Sequence, residues 1–278
     1  MVKARKRFGQ HFLEPAWVTK LVKALNATPE DTFVEIGPGR GAITRPLAAQ
    51  VARLLAIEVD RDLAAELVAE QLPTLTVVQG DVLETELGEA VHAWQGHPLD
   101  AAHQVRVVGN LPYNISSPIM FMLLKLAATT GGLTDATLML QREVADRLTA
   151  RPGTKEYGVL SILTGLHADV TRILALPPGA FRPPPQVSSA VVRLAFRPPP
   201  VSLKDEALFT RMVRTMFTQR RKTLSNALKP FGTAIGVDPV TALAEAGVDG
   251  QRRPETLQLV ELARLADVFA SAAQRRVV

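Results

Sequence analysis

The chain contains no cysteine in 278 residues. That excludes disulfides and thiolate-held metal centres, no metal site is expected, and a reducing, cytoplasmic setting fits. It also lacks any apolar run approaching the 18 or so residues that a membrane-spanning helix needs, so no membrane partner is expected. The opening Met1-Val2-Lys3-Ala4-Arg5-Lys6-Arg7 is basic, but no apolar stretch follows it, which excludes a secretory signal. Internal repeats are absent, and low-complexity sequence is limited to proline clusters. What is present is the composition of a soluble globular protein, 47% apolar and 21% charged. The length suffices for one sizeable core and a smaller domain, and a monomer is the default expectation.

Positive charge is unevenly placed. The net charge of +5 divides into −4 over residues 1–100, +5 over 101–200 and +4 over 201–278. A polyanion would meet the middle and end of the chain, helped by the arm carrying Arg5, Lys6 and Arg7. The plainer reading is solubilising surface charge.

Strand-like runs alternate with helical patterns. Thr32 to Ile36 reads as a strand, followed by Gly37-Pro38-Gly39-Arg40-Gly41-Ala42 and a helix from about Thr44. Glycines at a strand-to-helix turn let a ligand approach the backbone. Leu54 to Glu58 forms a second strand, placing Glu58 where an acid meets ribose hydroxyls. Gly37, Gly39 and Ala42 satisfy the dinucleotide pattern, so this segment alone leaves a nicotinamide cofactor and S-adenosylmethionine both open. A third strand, Leu75 to Val78, leads to Gln79-Gly80-Asp81-Val82, where Asp81 accepts from an adenine amino group or caps a turn. A fourth, Val105 to Val108, delivers Asn110, and Ala136 to Gln141 makes a fifth. This order predicts an α/β fold with a mostly parallel sheet and ligands across the strands' carboxyl ends.

Gly109-Asn110-Leu111-Pro112-Tyr113 organises the rest. The Asn110 side-chain oxygen and the Leu111 carbonyl are two acceptors for one planar amino group. Pro112 fixes its own φ and biases Leu111 to extended geometry. Tyr113 offers a flat face, so an exocyclic amine on a purine fits the set. The competing reading is a strand end with Ser116 and Ser117 capping the helix that carries Ile119 to Leu126.

Residues 83–99 read as a surface excursion. Two further strands, Val170 to Leu174 and Ala190 to Phe196, flank a proline-rich loop expected to hold Phe181 over a pocket. Arg197-Pro198-Pro199-Pro200 reads as a boundary, giving domains 1–200 and 201–278. The second is helical, with Phe209, Met212, Val213, Met216 and Phe217 on one face. Gln219-Arg220-Arg221-Lys222 suits phosphate contact. Because Arg220 falls within the apolar arc, the helix should break there or Arg220 should be paired.

Taken together these blocks resemble the small-subunit ribosomal RNA adenine dimethyltransferases, the kasugamycin-sensitivity (KsgA) family. The matching stretches run in order from Gly9-Gln10-His11-Phe12-Leu13 through Glu35–Thr44, Ile57–Asp60, Gly80-Asp81 and Asn110–Tyr113. They continue through Phe181–Val187, Ser189–Leu194 and Gln219–Leu224. The resemblance implies a Rossmann-like methyltransferase domain, S-adenosylmethionine as donor, and two adjacent adenines near the 3′ end of small-subunit ribosomal RNA as target, within a partly assembled subunit. It places His11, Leu13, Gly37, Gly39, Glu58, Asp81, Val82 and Asn110 at the cofactor, and Asn110, Leu111, Pro112, Tyr113 and Phe181 at the reaction. RNA contact falls to Arg5, Lys6, Arg7, Arg220, Arg221 and Lys222. The family commonly has Asn where His11 stands and Asp where Ser188 stands. Leu111, where the erythromycin-resistance dimethyltransferases of large-subunit RNA typically have Ile, favours the small-subunit group. A nicotinamide oxidoreductase, a DNA adenine methyltransferase and a non-catalytic RNA-binding descendant are the other readings.

Overall fold

Runs of apolar residues buried on both faces build the central sheet, as parallel strands covered by helices require. The computed structural model describes residues 11–275. Its strands are β1 (Phe12–Leu13), β2 (Thr32–Ile36), β3 (Arg53–Glu58), β4 (Leu75–Gln79), β5 (Val105–Asn110), β6 (Leu133–Gln141), β7 (Ala168–Leu176), β8 (Phe181–Arg182) and β9 (Ser189–Phe196). Seven of them form one sheet in the order β4-β3-β2-β5-β6-β9-β7. The first five are mutually parallel, and β9 and β7 add to the edge antiparallel.

The order places the functional residues. From β2 the chain winds outward through β3 and β4, then returns to lay β5 on the other side of β2. The connections therefore diverge between β2 and β5, and a crevice opens beyond the carboxyl ends of those two strands. Gly37 follows β2 and Asn110 ends β5, with Ile36 opposite Gly109 in register. Gly109 has no room for a side chain, since a Cβ there would meet the Ile36 carbonyl oxygen at 2.8 Å.

The connecting helices are α1 (Pro15–Leu25), α2 (Thr44–Ala48), α3 (Arg61–Ala69), α4 (Leu87–Gln95), α5 (Ser116–Thr130) and α6 (Arg142–Leu148). The α1 face of Val18, Leu21, Val22 and Leu25 is buried in the core with Phe33, Leu47, Leu54 and Phe181. Residues 83–99 contain α4, a crossover helix where a surface excursion was expected. Leu87 and Val91, one turn apart, are buried, and Gly96 ends the helix in a left-handed conformation. Trp94 is also committed, its Nε1 donating to Thr76 Oγ1 at 3.1 Å beneath the Arg53 guanidinium. The serine cap of the competing reading does not form at α5. Ser116 is already its first residue, and its hydroxyl donates to the Tyr113 carbonyl.

The chain divides into two units, but not at residue 200. One comprises the chain up to Ala145 together with His167–Arg197; the other joins Asp146–Leu166 to everything from Pro198 onward. The prolines at 198–200 thus mark only the last of three crossings. Residues 146–166 belong to the second unit because of what they bind there. The Tyr157 hydroxyl donates to the Leu257 carbonyl at 3.0 Å, and the Gly153 amide to the Glu255 carbonyl at 2.7 Å. The remaining helices are α7 (Val159–His167), α8 (Glu206–Phe217), α9 (Leu224–Ala227), α10 (Lys229–Ile235), α11 (Pro239–Glu245) and α12 (Leu259–Gln274). Phe231 and Phe269 meet edge to face at 5.2 Å in that unit's core. As the apolar arc required, α8 stops before Arg220.

Candidate active site

The turn after β2 is shaped by backbone conformation. Gly37, Gly39 and Gly41 all adopt positive φ, at 68°, 57° and 72°. Only glycine takes such angles without strain. A Cβ on Gly37 would meet nothing within 4 Å, so this glycine presents bare backbone to open space. The Gly39 amide donates to Glu58 Oε2 at 2.9 Å and the Asp60 amide to Oε1 at 2.8 Å, fixing the carboxylate at the end of β3. Burial raises the Glu58 pKa, against the pull of those two amides.

Asn110 stands across the crevice. Its Nδ2 donates to the His11 carbonyl at 2.8 Å. A carbonyl only accepts, so this bond fixes which way the amide faces and leaves Oδ1 as the outward acceptor. The His11 ring is held in turn, with Nδ1 2.8 Å from the Pro183 carbonyl, which makes Nδ1 the protonated nitrogen. Tyr113 lies nearly parallel to that ring, 22° between planes and 6.0 Å between centroids. Its hydroxyl is 2.6 Å from Ser189 Oγ on β9. Burial raises the Tyr113 pKa, so the phenol is neutral.

One cleft therefore brings together His11, Leu13, Gly37, Gly39 and Glu58 with Asn110, Leu111, Pro112 and Tyr113. Three expected residues are not in its lining. Asp81 sits one strand beyond Glu58, and its Oδ1 accepts from the Leu83 amide at 2.9 Å, which is the turn-capping role. Val82 is buried beside it. Phe181 corrects the sequence reading. It is 1% exposed and packs in the core with α1, so it offers no stacking face over the cleft. Its strand instead pairs with β1, Leu13 opposite Phe181 and Phe12 opposite Arg182. The proline-rich loop thereby clamps residues 11–14, and through the His11 carbonyl it clamps Asn110.

Glu35, on β2, joins the lining without having been singled out as a site residue from sequence. It is 1% exposed, and Oε2 has no hydrogen-bond partner. Burial pushes its pKa up to about 7; the Thr44 hydroxyl pulls it down, Glu58 adds to the rise, and Arg45 opposes it. An acid in an apolar strand end was the available signal.

In the second unit Arg220 is paired. Its Nη2 donates to the Thr154 carbonyl at 2.9 Å, its Nη1 to the Lys155 carbonyl, and Nε lies 3.8 Å from Glu255. The expectation that it contacts phosphate gives way to a structural role. Arg221 and Lys222 are exposed. Arg5, Lys6 and Arg7 lie outside the described residues.

A mostly parallel sheet with a glycine turn, an acid after the next strand and an acceptor block on the fourth strand of its parallel part defines a Rossmann-like methyltransferase. Solved structures share this fold across both units' sequence. A dimethyladenosine transferase from Plasmodium falciparum matches with TM-score 0.72 and 24% identity, covering 92% of this chain and 96% of its own. The 23S rRNA methyltransferase ErmE matches with TM-score 0.65 and 24% identity, over 93% and 99%. The model of the ribosomal RNA adenine dimethylase family matches residues 1–271, and the chain belongs to that family. Relatives named ribosomal RNA small subunit methyltransferase A are similar over nearly the full length. That of Acinetobacter baylyi is 45% identical over 95% of this chain and 92% of its own. That of Geobacter metallireducens is 42% identical over 95% and 94%.

Proposed function

We infer that this protein transfers methyl groups from S-adenosylmethionine to the N6 amino groups of two adjacent adenines near the 3′ end of small-subunit ribosomal RNA, in a partly assembled subunit. The observation that carries the reading is the Asn110 amide, oriented by the His11 carbonyl so that Oδ1 faces the cleft of the glycine turn. The cleft's own residues suit the donor. Gly37 offers open backbone, the Glu58 carboxylate has lone pairs for ribose hydroxyls, and Glu35 Oε2 is a buried acceptor awaiting a cationic or N–H partner.

S-adenosylmethionine supplies an electron-poor methyl group on a sulfonium, already activated. The protein's task is therefore orientation. An adenine amino nitrogen is a poor nucleophile because its lone pair is delocalised into the ring. Asn110 Oδ1 and the Leu111 carbonyl accept its two N–H bonds, favouring a pyramidal nitrogen whose lone pair points along the line of attack. Such positioning supplies about 7 kcal/mol or more in favourable cases. As positive charge builds on that nitrogen, the same two oxygens stabilise it, which is selective binding of the transition state. Tyr113 receives the unstacked base on its ring, held by Ser189. Loss of a proton from the methylated nitrogen to water leaves an amine with one hydrogen, so the second transfer runs on a single acceptor bond.

In this reading the donor's adenine extends from Glu58 toward Asp81, one strand further along the sheet. Arg221 and Lys222 carry the RNA backbone contact of the second unit. The test is transfer of labelled methyl onto small subunits lacking the modification, with the modified bases mapped. Label on two adjacent N6 positions near the 3′ end is expected. Label on large-subunit RNA, or none, would overturn the reading.

A further inference from the structure

We propose that the His11 imidazole is the second flat face of the target-base site, so that the unstacked adenine lies between His11 and Tyr113. The proposal rests on the reading of the target as an adenine and adds a residue to it. Need is the first argument. A base taken out of its stack gives up contact on both faces, and Tyr113 restores one of them. Phe181, buried in the core with α1, restores none. Among the described residues lining the cleft, the unsaturated rings are those of His11, Phe12 and Tyr113. The Phe12 ring already has the Arg40 guanidinium over it, 4.2 Å from its centroid, and packs against Gly39. His11 is the ring that remains.

Geometry is the second argument. The His11 and Tyr113 planes are 22° apart, with centroids 6.0 Å from each other. Each ring is tethered at its edge. The Tyr113 hydroxyl is 2.6 Å from Ser189 Oγ, and His11 Nδ1 donates to the Pro183 carbonyl at 2.8 Å. Bonds made in the plane of a ring set its orientation and leave its faces for stacking. A flat base between two rings needs about 7 Å, twice a contact distance of about 3.5 Å. From 6.0 Å the pair opens to that width by a movement of about 1 Å. Connectivity is the third argument. The His11 carbonyl holds Asn110 Nδ2, and Tyr113 follows Asn110 by three residues. One residue thus aims the acceptor with its backbone and faces Tyr113 with its ring. A base seated between the rings lies beside the oxygen that takes its amino group.

The experiment measures methyl transfer by the full chain onto small subunits lacking the modification, together with donor affinity by calorimetry. His11→Asn keeps an N–H for the Pro183 carbonyl and the backbone bond to Asn110, and removes the ring. Stacking a base on a ring is worth on the order of 10-fold in affinity. His11→Asn should therefore raise KM for the subunit by about 10-fold, with kcat and donor affinity each changed less than about 3-fold. His11→Phe, which restores a flat face, should recover most of that loss, whereas His11→Leu, which has bulk but no flat face, should not. His11→Asn made in the Tyr113→Ala protein should raise KM further, because there the base still rests on His11. An unchanged KM in His11→Asn, or equal recovery by His11→Leu, would overturn the proposal. Loss of the His11 effect in the Tyr113→Ala background would mark His11 as a support for Tyr113 and overturn it too. A fall in donor affinity matching the rise in KM would assign the ring to the donor, with the same consequence. If the parent protein labels no small-subunit RNA, the functional reading itself fails and this proposal falls with it; the other adverse outcomes sink the proposal alone.

Discussion

At the scale of single residues, the site depends on which atom of Asn110 faces the cleft. The bond from Nδ2 to the His11 carbonyl decides it, because a carbonyl forces the amide's donor inward. Asn110→Ala removes an oriented, charge-stabilising acceptor and should lower turnover by about 100-fold or more while donor affinity changes little. Single-turnover methyl transfer alongside donor titration checks this, and near-normal turnover would refute the assignment. Glu35 provides a prediction in pH. Its carboxyl is lifted from 4.5 to about 7, so the folded protein holds that proton where the unfolded chain has released it. Its stabilising contribution is complete below pH 4.5 and is lost as pH rises to about 7, a swing on the order of 3 kcal/mol. Glu35→Gln should therefore gain stability relative to the parent as pH rises over that window, measured by denaturant unfolding at each pH. Donor binding runs the other way. A cationic donor favours the ionised carboxylate, so affinity should increase as pH rises through about 7, with proton release on binding; Glu35→Gln should flatten both.

At the scale of elements, the two-residue pairing of β1 with β8 does more than its size implies. It ties the proline-rich loop to residues 11–14, and that segment holds Asn110 by its backbone. Phe181 anchors the pairing from within the core. Phe181→Ala should thus act through packing, destabilising the first unit by about 3–5 kcal/mol. Tyr113→Ala should leave stability largely intact and weaken target engagement by about 1–3 kcal/mol of lost stacking. Thermal unfolding and RNA binding on the two variants separate these roles, and a stable Phe181→Ala with weakened RNA binding would restore the stacking role to Phe181. The contrast shows what a sequence carries. Strand runs, the glycine turn and the Asn110 block are legible because local pattern and backbone chemistry fix them. The pairing of residue 13 with residue 181 is not, since no local signal marks a contact so distant along the chain. Helix α4 was legible in principle from Leu87, Val91 and Gly96, but polar flanks masked it. The grouping of residues 146–166 with the second unit has no local signal either, because the partners of Tyr157 and Gly153 lie about a hundred positions away.

At the scale of the whole molecule, basic charge concentrates after residue 100, and which cations remain available decides how RNA is held. Counting arginines and lysines overstates the footprint. Arg220 spends its donors on the Thr154 and Lys155 carbonyls, Arg252 pairs with Glu261, and Arg106 bridges Asp31 and Asp135. Arg221 and Lys222 are exposed beside Arg220 in the same turn. Each phosphate neutralised releases counterion, so the slope of log affinity against log salt counts the contacts directly. Replacing Arg221 and Lys222 with alanine should weaken RNA binding and make that slope shallower by about 1.5. Arg220→Ala should leave the slope in place and instead lower the unfolding temperature of the second unit, since it frees two carbonyls and Glu255. A salt titration of RNA binding on the three proteins, paired with thermal unfolding, tells the two kinds of arginine apart. If Arg220→Ala flattens the slope and the double variant does not, the phosphate contact belongs to Arg220, and its bonds to the 154–155 carbonyls must open when RNA binds.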